Sequence, residues 1–495
     1  MVYFVCGKCI LDTYEKWMNG SIVSTIDPIP RGIWEIPFPA ITFCSENQLR
    51  HSQFDYTSQY KNRTTNYFSD SMRQKMAVAD IVCRSAEGSD DYVDPNVFSY
   101  MVKERFPNIS DTIVAAIRVP FLNKSLINLF ETTLTMTGVC FTFNLVPLKN
   151  LLSDDYVNVF QRLTHKEIEE VDESDVWNPD NGYPSRGTDK DLTENGLHPM
   201  RMFADGMAGT IAIVLQFDDQ DYDEECNQGG RGFTLAVHSP AELPSSIQYN
   251  QIHLKTGHMS SVYLNAEVAS IDKYITAWPP EKRGCVLSTE HKLYFFKIYT
   301  QKNCDSECSA FTALKMCGCV AFHQPRNTSM PICGSNKWSC LLSSFKVSLA
   351  FMKEFDKLVT TCFCPPACSS VDYQFTYETH AHNVLDSHSM HRHLIKNVSA
   401  TTSYSIINLA FKVRQVYNFR KAALMGVTEF IAAVGGIMGL FLGCSFLSFF
   451  ELLYFLSLRI IVNLWNARKI ARNDERPHDE KVIRDGNTFN VRNAW

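Results

Sequence analysis

The stretch FIAAVGGIMGLFLGCSFLSFFELLYFLSL, Phe430 to Leu458, decides the reading of this chain. Its first twenty-one residues, Phe430 to Phe450, carry no charge. A bilayer core takes roughly 20 apolar residues in a helix, so this is a spanning candidate, and no other stretch offers a complete one. Gly435, Gly439 and Gly443 recur every fourth residue and form a stripe without side chains on one helix face. Ser445, Ser448 and Glu451 follow at three-residue steps and extend the seam. Such a seam lets helices approach closely and bares main-chain polar groups. Lipid cannot satisfy those groups, so they should face another chain or water. One reading is an anchor with a glycine-rich dimer seam. The other is a pore-lining helix constricted at Gly443-Cys444-Ser445, where carbonyls and a hydroxyl replace part of a cation's hydration shell. Glu451, one charge below, would attract cations, and an ionisable residue in a span is a functional candidate.

The chain has 495 residues, enough for two to four soluble domains or one large one, and a net charge of -6 spread along its length. No basic face or Lys/Arg run points to nucleic acid as a partner. Of 17 cysteines, Cys6 and Cys9 lie at the N-terminus, Cys444 lies in the span, and the rest fall between Cys44 and Cys368. Dense, even cysteine usage outside a membrane implies an oxidising compartment and a disulfide framework. Asn-X-Ser/Thr acceptors at Asn19, Asn62, Asn108, Asn123, Asn327 and Asn397 fit that side of the membrane. Residues from about 19 to 425 are therefore expected outside the cell. Residues 466–495 would be cytoplasmic, with Arg468, Lys469 and Arg472 obeying the positive-inside rule. Lys412, Arg414, Arg420 and Lys421 flank the other end, so the disulfides carry the orientation.

Val2 to Ile10 is apolar but far below spanning length, and Gly7 and Lys8 interrupt it. It lacks the basic start and small-residue cleavage site of a signal peptide. Either the last helix acts as the export signal, or the chain as given has lost its start.

Ile36-Pro37-Phe38-Pro39-Ala40-Ile41-Thr42-Phe43-Cys44 reads as an extended entry followed by a strand. Helical character is expected over 70–83 and 111–130, and one strand over Leu134 to Asn144. Residues 165–200, rich in Asp, Asn, Gly and Pro, read as a surface loop. Strands are expected over 211–217 and 232–238, and near 262–269, 291–297 and 403–413. The whole is a β-rich core with helical insertions and no internal repeat.

The segment 285–368 says most about geometry. Cys304 and Cys308, four apart on a helix, sit on one face about 6 Å apart. Cys362 and Cys364, two apart on a strand, share a face at roughly 6.6 Å. A helix laid antiparallel to that strand closes two rungs, Cys304–Cys364 and Cys308–Cys362, with Cys285–Cys368 as the next. Cys317 and Cys319 then close onto Cys340 and Cys333, and Leu342 to Leu358 forms a second amphipathic helix. Ten cysteines allow many connectivities, and spacing does not prove this one. A zinc reading of the CxC and CxxxC spacings is disfavoured, because thiols oxidise outside the cell. No metal and no cofactor is expected.

These residues together resemble the degenerin/epithelial sodium channel family, most of all its arthropod pickpocket branch. The resemblance runs from Ile36 to about Leu458. It rests on Pro37 to Cys44 with Asn47; on Gly138-Val139-Cys140-Phe141-Thr142-Phe143-Asn144; on His238-Ser239-Pro240 with Glu242 and Pro244; and on Arg283-Gly284-Cys285. It continues through Tyr299, Cys304, Glu307-Cys308, Cys317-Gly318-Cys319, Cys333, Cys362, Cys364-Pro365-Pro366 and Cys368. It ends in Gly435-Gly436, Gly439-Leu440-Phe441, Gly443-Cys444-Ser445 and Glu451. The ordered set is highly specific.

What the resemblance implies is a membrane protein of the plasma membrane. A large disulfide-rich α+β ectodomain, with a β-rich palm and a helical finger and thumb, would lie between two transmembrane helices, the first truncated in this chain. The expected layout is 1–14 as a remnant of the first transmembrane helix and 15–425 as the extracellular cysteine-rich domain, with 285–368 its stapled thumb. The second, pore-lining transmembrane helix would be 426–464, and the cytoplasmic tail 465–495. The resemblance also implies a homo- or hetero-trimer of related subunits, sodium permeation and block by amiloride-type compounds. It adds Cys44–Cys140 as a pair in the palm, which leaves Cys83 with Cys226 by elimination. Gly443, Cys444 and Ser445 would be the Gly-X-Ser selectivity filter. Ala432 falls at the position where a larger side chain holds the pore open, and Gly435, Gly436, Gly439, Ser448 and Glu451 would line the pore or gate. The family's cytoplasmic His-Gly motif and full first span are not in this sequence, so an alternative is a non-conducting regulatory subunit or a single-pass receptor or adhesion ectodomain.

His380, His382, His388, His391 and His393 cluster in a polar stretch, where proton or metal sensing competes with a simple solvated loop. Asp155, Asp172 and Asp175 lie among turn residues and read as solvated rather than as a catalytic pair. No Ser-His-Asp, Walker or dinucleotide pattern appears in a suitable context, so no enzyme is expected. The gating stimulus is not legible.

Overall fold

The computed structural model describes the chain except residues 1, 21, 65–67, 86, 87, 89, 119–124, 166, 169, 185–196, 228, 245–250, 352–361, 384–394, 396–400, 444 and 475–495. The chain divides into two units, Ile22–Ala422 and a second made of Met1–Ser21 with Ala423–Trp495. The longer strands are β1 (Ile22–Ile26), β2 (Ala40–Ser45), β3 (Ile113–Arg118), β4 (Phe130–Thr135), β5 (Gly138–Phe143), β6 (Ile211–Asp218), β7 (Gly232–His238), β8 (Gln251–Lys255), β9 (His258–Ile271), β10 (Ser370–Ala381), β11 (Thr402–Phe411) and β12 (Asn418–Ala423). The longer helices are α1 (Val2–Met18), α2 (Asp70–Val82), α3 (Pro95–Glu104), α4 (Asp154–Thr164), α5 (Gln301–Cys317), α6 (Trp338–Phe351), α7 (Val427–Leu442), α8 (Phe446–Leu453) and α9 (Arg459–Asp474).

One sheet runs β1-β12-β9-β11-β6-β3, with β10 also on β9. Strand β9 is its spine. It pairs antiparallel with β10 from His258↔Ala381 to Ala269↔Ser370, and parallel with both β11 and β12. The second sheet, β8-β7-β2-β5-β4, is antiparallel throughout. Its central strand β2 is buried at every residue, which is why AITFCS shows no polar alternation. Edge strand β8 alternates exposed and buried residues, because only one of its faces is covered.

The second sheet carries a buried polar ladder across four strands. Thr133 and Thr142 hydroxyls lie 2.8 Å apart, Thr142 and Thr42 2.8 Å, and Thr42 Oγ1 lies 2.8 Å from His238 Nε2. Burial holds the His238 imidazole neutral, down at about 3. Its Nδ1 lies 3.0 Å from the Ser239 carbonyl, which can only accept. Nδ1 therefore donates, Nε2 accepts from Thr42, and the hydroxyls align in one direction back to Thr133.

Several expected elements differ. Of the helix expected over 111–130, only the last residues of a short turn, Ile109–Thr112, are α-helical among the described residues. Ile113–Arg118 forms β3 against β6, because its β-branched residues fit a buried strand, and a single 3-10 turn follows at Ile127–Leu129. The strand expected over 134–144 is a hairpin of β4 and β5, whose turn ends at Gly138 with φ +128°. Residues 291–297 form no strand. The Glu307 carboxylate accepts from the Tyr294 and Phe295 amides at 3.0 and 2.8 Å, and the segment makes one isolated bridge, Leu152↔Phe296.

All seven disulfides join the cysteines that the sequence reading pairs: Cys44–Cys140, Cys83–Cys226, Cys285–Cys368, Cys304–Cys364, Cys308–Cys362, Cys317–Cys340 and Cys319–Cys333. Cys362 and Cys364 sit in an extended segment without a strand partner, held to α5 by the two disulfides and by Gln301 Nε2, which donates to the Cys364 carbonyl at 3.3 Å. Helices α5 and α6 pack together; the part of the second thumb helix beyond Phe351, over 352–358, lies outside the described residues.

Candidate functional site

The second unit is built from α1 and the helices after Gly426. Helix α1 runs without a break through Gly7 and Lys8 to Met18, past residue 14, where the sequence reading ended it. It packs on α7. Trp17 stacks on Phe430 with ring centres 4.6 Å apart, and Tyr14 meets the same ring edge-on at 6.3 Å. The Tyr14-x-x-Trp17 pair on one helix face, of the kind that anchors helix ends at a membrane surface, is the signal that could have extended the element.

Phe430 to Phe450 is not one helix, as the sequence suggested, but two. Helix α7 stops at Leu442. Gly443 turns left-handed at φ +63°, and its N–H bonds back to the Gly439 carbonyl at 3.1 Å. Only a residue without a Cβ adopts that conformation freely. Ser445 then caps α8. Its hydroxyl accepts from Ser448 N–H at 3.3 Å, and Ser448 Oγ accepts from Ser445 N–H at 3.3 Å. This reciprocal box makes Ser445 a start signal, and the glycine before it a stop. The helix continues through a π turn at Tyr454–Leu458 into α9, ending at Asp474 rather than 464. Among the described residues one helix, Phe450–Lys469, is long and apolar enough to cross a membrane by length and composition; Val427–Leu442 is apolar but shorter.

The glycine stripe is therefore Gly435 and Gly439 on α7, with Gly443 in the cap. Ala432, Gly435, Gly436, Gly443, Ser445 and Glu451 are exposed, while Gly439 and Ser448 are half-buried. A Cβ added at Gly435, Gly436 or Gly443 would meet nothing within 4 Å. This face is open in the single chain. Cys444 lies outside the described residues; Cys6 is a buried free thiol and Cys9 a half-buried one.

His380 is exposed and His382 half-buried at the end of β10; His388, His391 and His393 lie outside the described residues. The acidic residues do not converge. Asp155 accepts from the Tyr294 hydroxyl at 3.1 Å, and Asp172 caps the turn Glu173–Asp175. Four glycosylation acceptors are described. Asn19 follows α1, Asn62 closes the helix Tyr56–Lys61, Asn108 caps a short turn, and Asn327 sits in a tight turn; Asn123 and Asn397 lie outside the described residues. His51, Asp55 and Asp223 come close enough to consider for a metal ion. Asp223 already accepts from the Tyr56, Thr57 and Cys226 amides and the Thr57 hydroxyl, so its oxygens serve the fold.

Two buried charged groups in the ectodomain, Arg283 and Glu242, have ion partners. Arg283 is fully buried and donates to the Cys285 and Thr276 carbonyls and to Glu290. Glu242 lies 3.2 Å from Lys302 on α5, which also faces Asp372 on β10 at 3.7 Å. Burial pushes the Glu242 carboxyl up to about 7, against the pull of Lys302.

The chain combines a β-rich unit held by seven disulfides with a unit of apolar helices whose run is broken by a capped turn, the pattern of a class of membrane protein. Within that class the chain belongs to the amiloride-sensitive sodium channel family, whose model matches residues 1–455. It is similar to Pickpocket protein 28 of Drosophila melanogaster, at 24% identity over 464 residues, covering 91% of this chain and 71% of that protein. It is 28% identical over 279 residues to Pickpocket protein 11 of the same fly, covering 53% of this chain and 50% of the relative. The human Bile acid-sensitive ion channel is 25% identical over 231 residues, covering 46% of this chain and 43% of its own length. The matches to the last two thus span about half of each relative or less.

Proposed function

We propose that the chain is one subunit of a trimeric, sodium-selective, amiloride-sensitive cation channel of the plasma membrane, opened by an extracellular sensory stimulus. The family and the sodium channels among its relatives support the class. In this reading residues 15–425 face the outside, 426–464 line the pore, and 465–495 lie in the cytoplasm. The break at Gly443–Ser445 carries the proposal. Non-helical backbone inside an apolar segment is tolerated only against protein or water. Three open glycine faces meeting around an axis supply both, and leave carbonyls and the Ser445 hydroxyl to replace part of the hydration shell of Na⁺. Glu451 raises the local cation concentration below.

Ala432 tests the reading, because it is exposed on α7 one turn before Gly435 and Gly436. Ala432→Phe wedges the helices apart and produces a standing inward sodium current in voltage-clamped cells, blocked by amiloride. Silence in cells that carry the variant at the surface overturns the pore assignment.

A further inference from the structure

Asn327 sits in a turn that fixes its side chain. Its Oδ1 accepts from Ser329 N–H at 3.0 Å, from the Ser329 hydroxyl at 2.8 Å and from Met330 N–H at 3.0 Å. Its carboxamide nitrogen bonds to no described residue. The turn is held in place. Cys319–Cys333 closes the loop around it, Val320 N–H bonds to the Pro331 carbonyl at 3.0 Å, and the buried Arg326 guanidinium donates to the Phe322 carbonyl.

Thr328, the middle residue of this Asn-Thr-Ser acceptor, lines a hollow of about 870 Å³ whose walls are α3 and α4. Its other walls carry the amides of Asn96, Asn158 and Gln161 and the guanidinium of Arg162, beside Lys103 and Glu104, which pair with each other at 3.7 Å. The side chains of Asn96, Asn158, Gln161 and Arg162 bond to no described residue. Primary amides donate and accept at once, and a guanidinium donates in a planar fork. This lining suits an uncharged ligand dense in hydroxyl and N-acetyl groups, and the volume is that of a small-ligand site. A sugar chain rooted at the rim would meet these groups at high effective concentration, so individually weak contacts suffice.

We propose that an N-linked glycan on Asn327 lies in this hollow and ties the loop after α5 to helices α3 and α4. The inference rests on the extracellular reading of the ectodomain.

The test uses the full-length chain from eukaryotic cells. Ser329→Ala removes the acceptor sequence and keeps Asn327, whereas Ser329→Thr preserves the acceptor. Expected are a mobility step of one glycan for Ser329→Ala alone, and faster hydrogen–deuterium exchange over 96–104 and 158–165. Enzymatic trimming of folded wild-type protein should speed the same segments, which covers a misfolded variant. A mobility step without that change in exchange overturns the proposal, as does a change shared by Ser329→Thr. If trimming shifts wild type but Ser329→Ala runs with it, the inference fails and the extracellular reading stands. If trimming shifts nothing, both fail.

Discussion

Glu242 is a carboxyl whose surroundings disagree about its charge. Burial lifts it to about 7, while Lys302, 3.2 Å away, favours the ionised form. An acid raised above its unfolded value of 4.5 keeps its proton in the fold where the unfolded chain has lost it. Its contribution to stability is complete below that unfolded value and is lost as pH rises through about 7. His238 works in the opposite sense. Its depressed value of about 3 gives stability above the ordinary 6.5 that is lost on acidification. Glu242→Gln therefore removes one slope and leaves the other. Thermal unfolding of the purified chain should soften less than wild type between about pH 5 and about pH 8. Parallel pH profiles for the two proteins would show that Glu242 does not titrate there. This residue stood in the sequence beside His238-Ser239-Pro240, but Lys302 is sixty positions further on, so the pairing waits on the fold.

Among the elements, the hydroxyl ladder is the most exposed to single changes. Thr42 both donates to His238 Nε2 and accepts from Thr142. Thr42→Val keeps the shape and leaves a buried imidazole nitrogen without a donor. The expected cost is about 1–3 kcal/mol, read as a lower unfolding midpoint. A variant as stable as wild type would mean that the ladder is incidental. The two inner staples were legible in sequence, since a four-residue helical spacing matches a two-residue extended one in length. Among the many connectivities open to ten cysteines, the structure has the pairing that this match favours. The helix break was written there too, in Gly443 and Ser445, yet apolar continuity across Phe430 to Phe450 outweighed it. Punctuation by glycine and serine is local, whereas a hydropathy window averages over it. Residues 291–297 were misjudged for another reason. Their β-like composition is real, but the Glu307 carboxylate takes the amides a neighbouring strand would need.

At the scale of the whole molecule, the open face of α7 makes a claim about stoichiometry. Gly435 and Gly436 have room for side chains they do not carry, the kind of space that close packing of a second helix requires. Single-molecule bleaching of a tagged chain in the plasma membrane should count a trimer, alone or with related subunits; a population of monomers would leave the proposed pore unbuilt. The left-handed turn at Gly443 has a consequence of its own. Its backbone lies in the mirror image of the common helical region, where a substituent of the L series collides with the following carbonyl and one of the D series does not. The turn between the two helices is therefore indifferent to chirality only while it remains a glycine. Among the amino acids a ribosome can place there, none offers the same curve at the same ease.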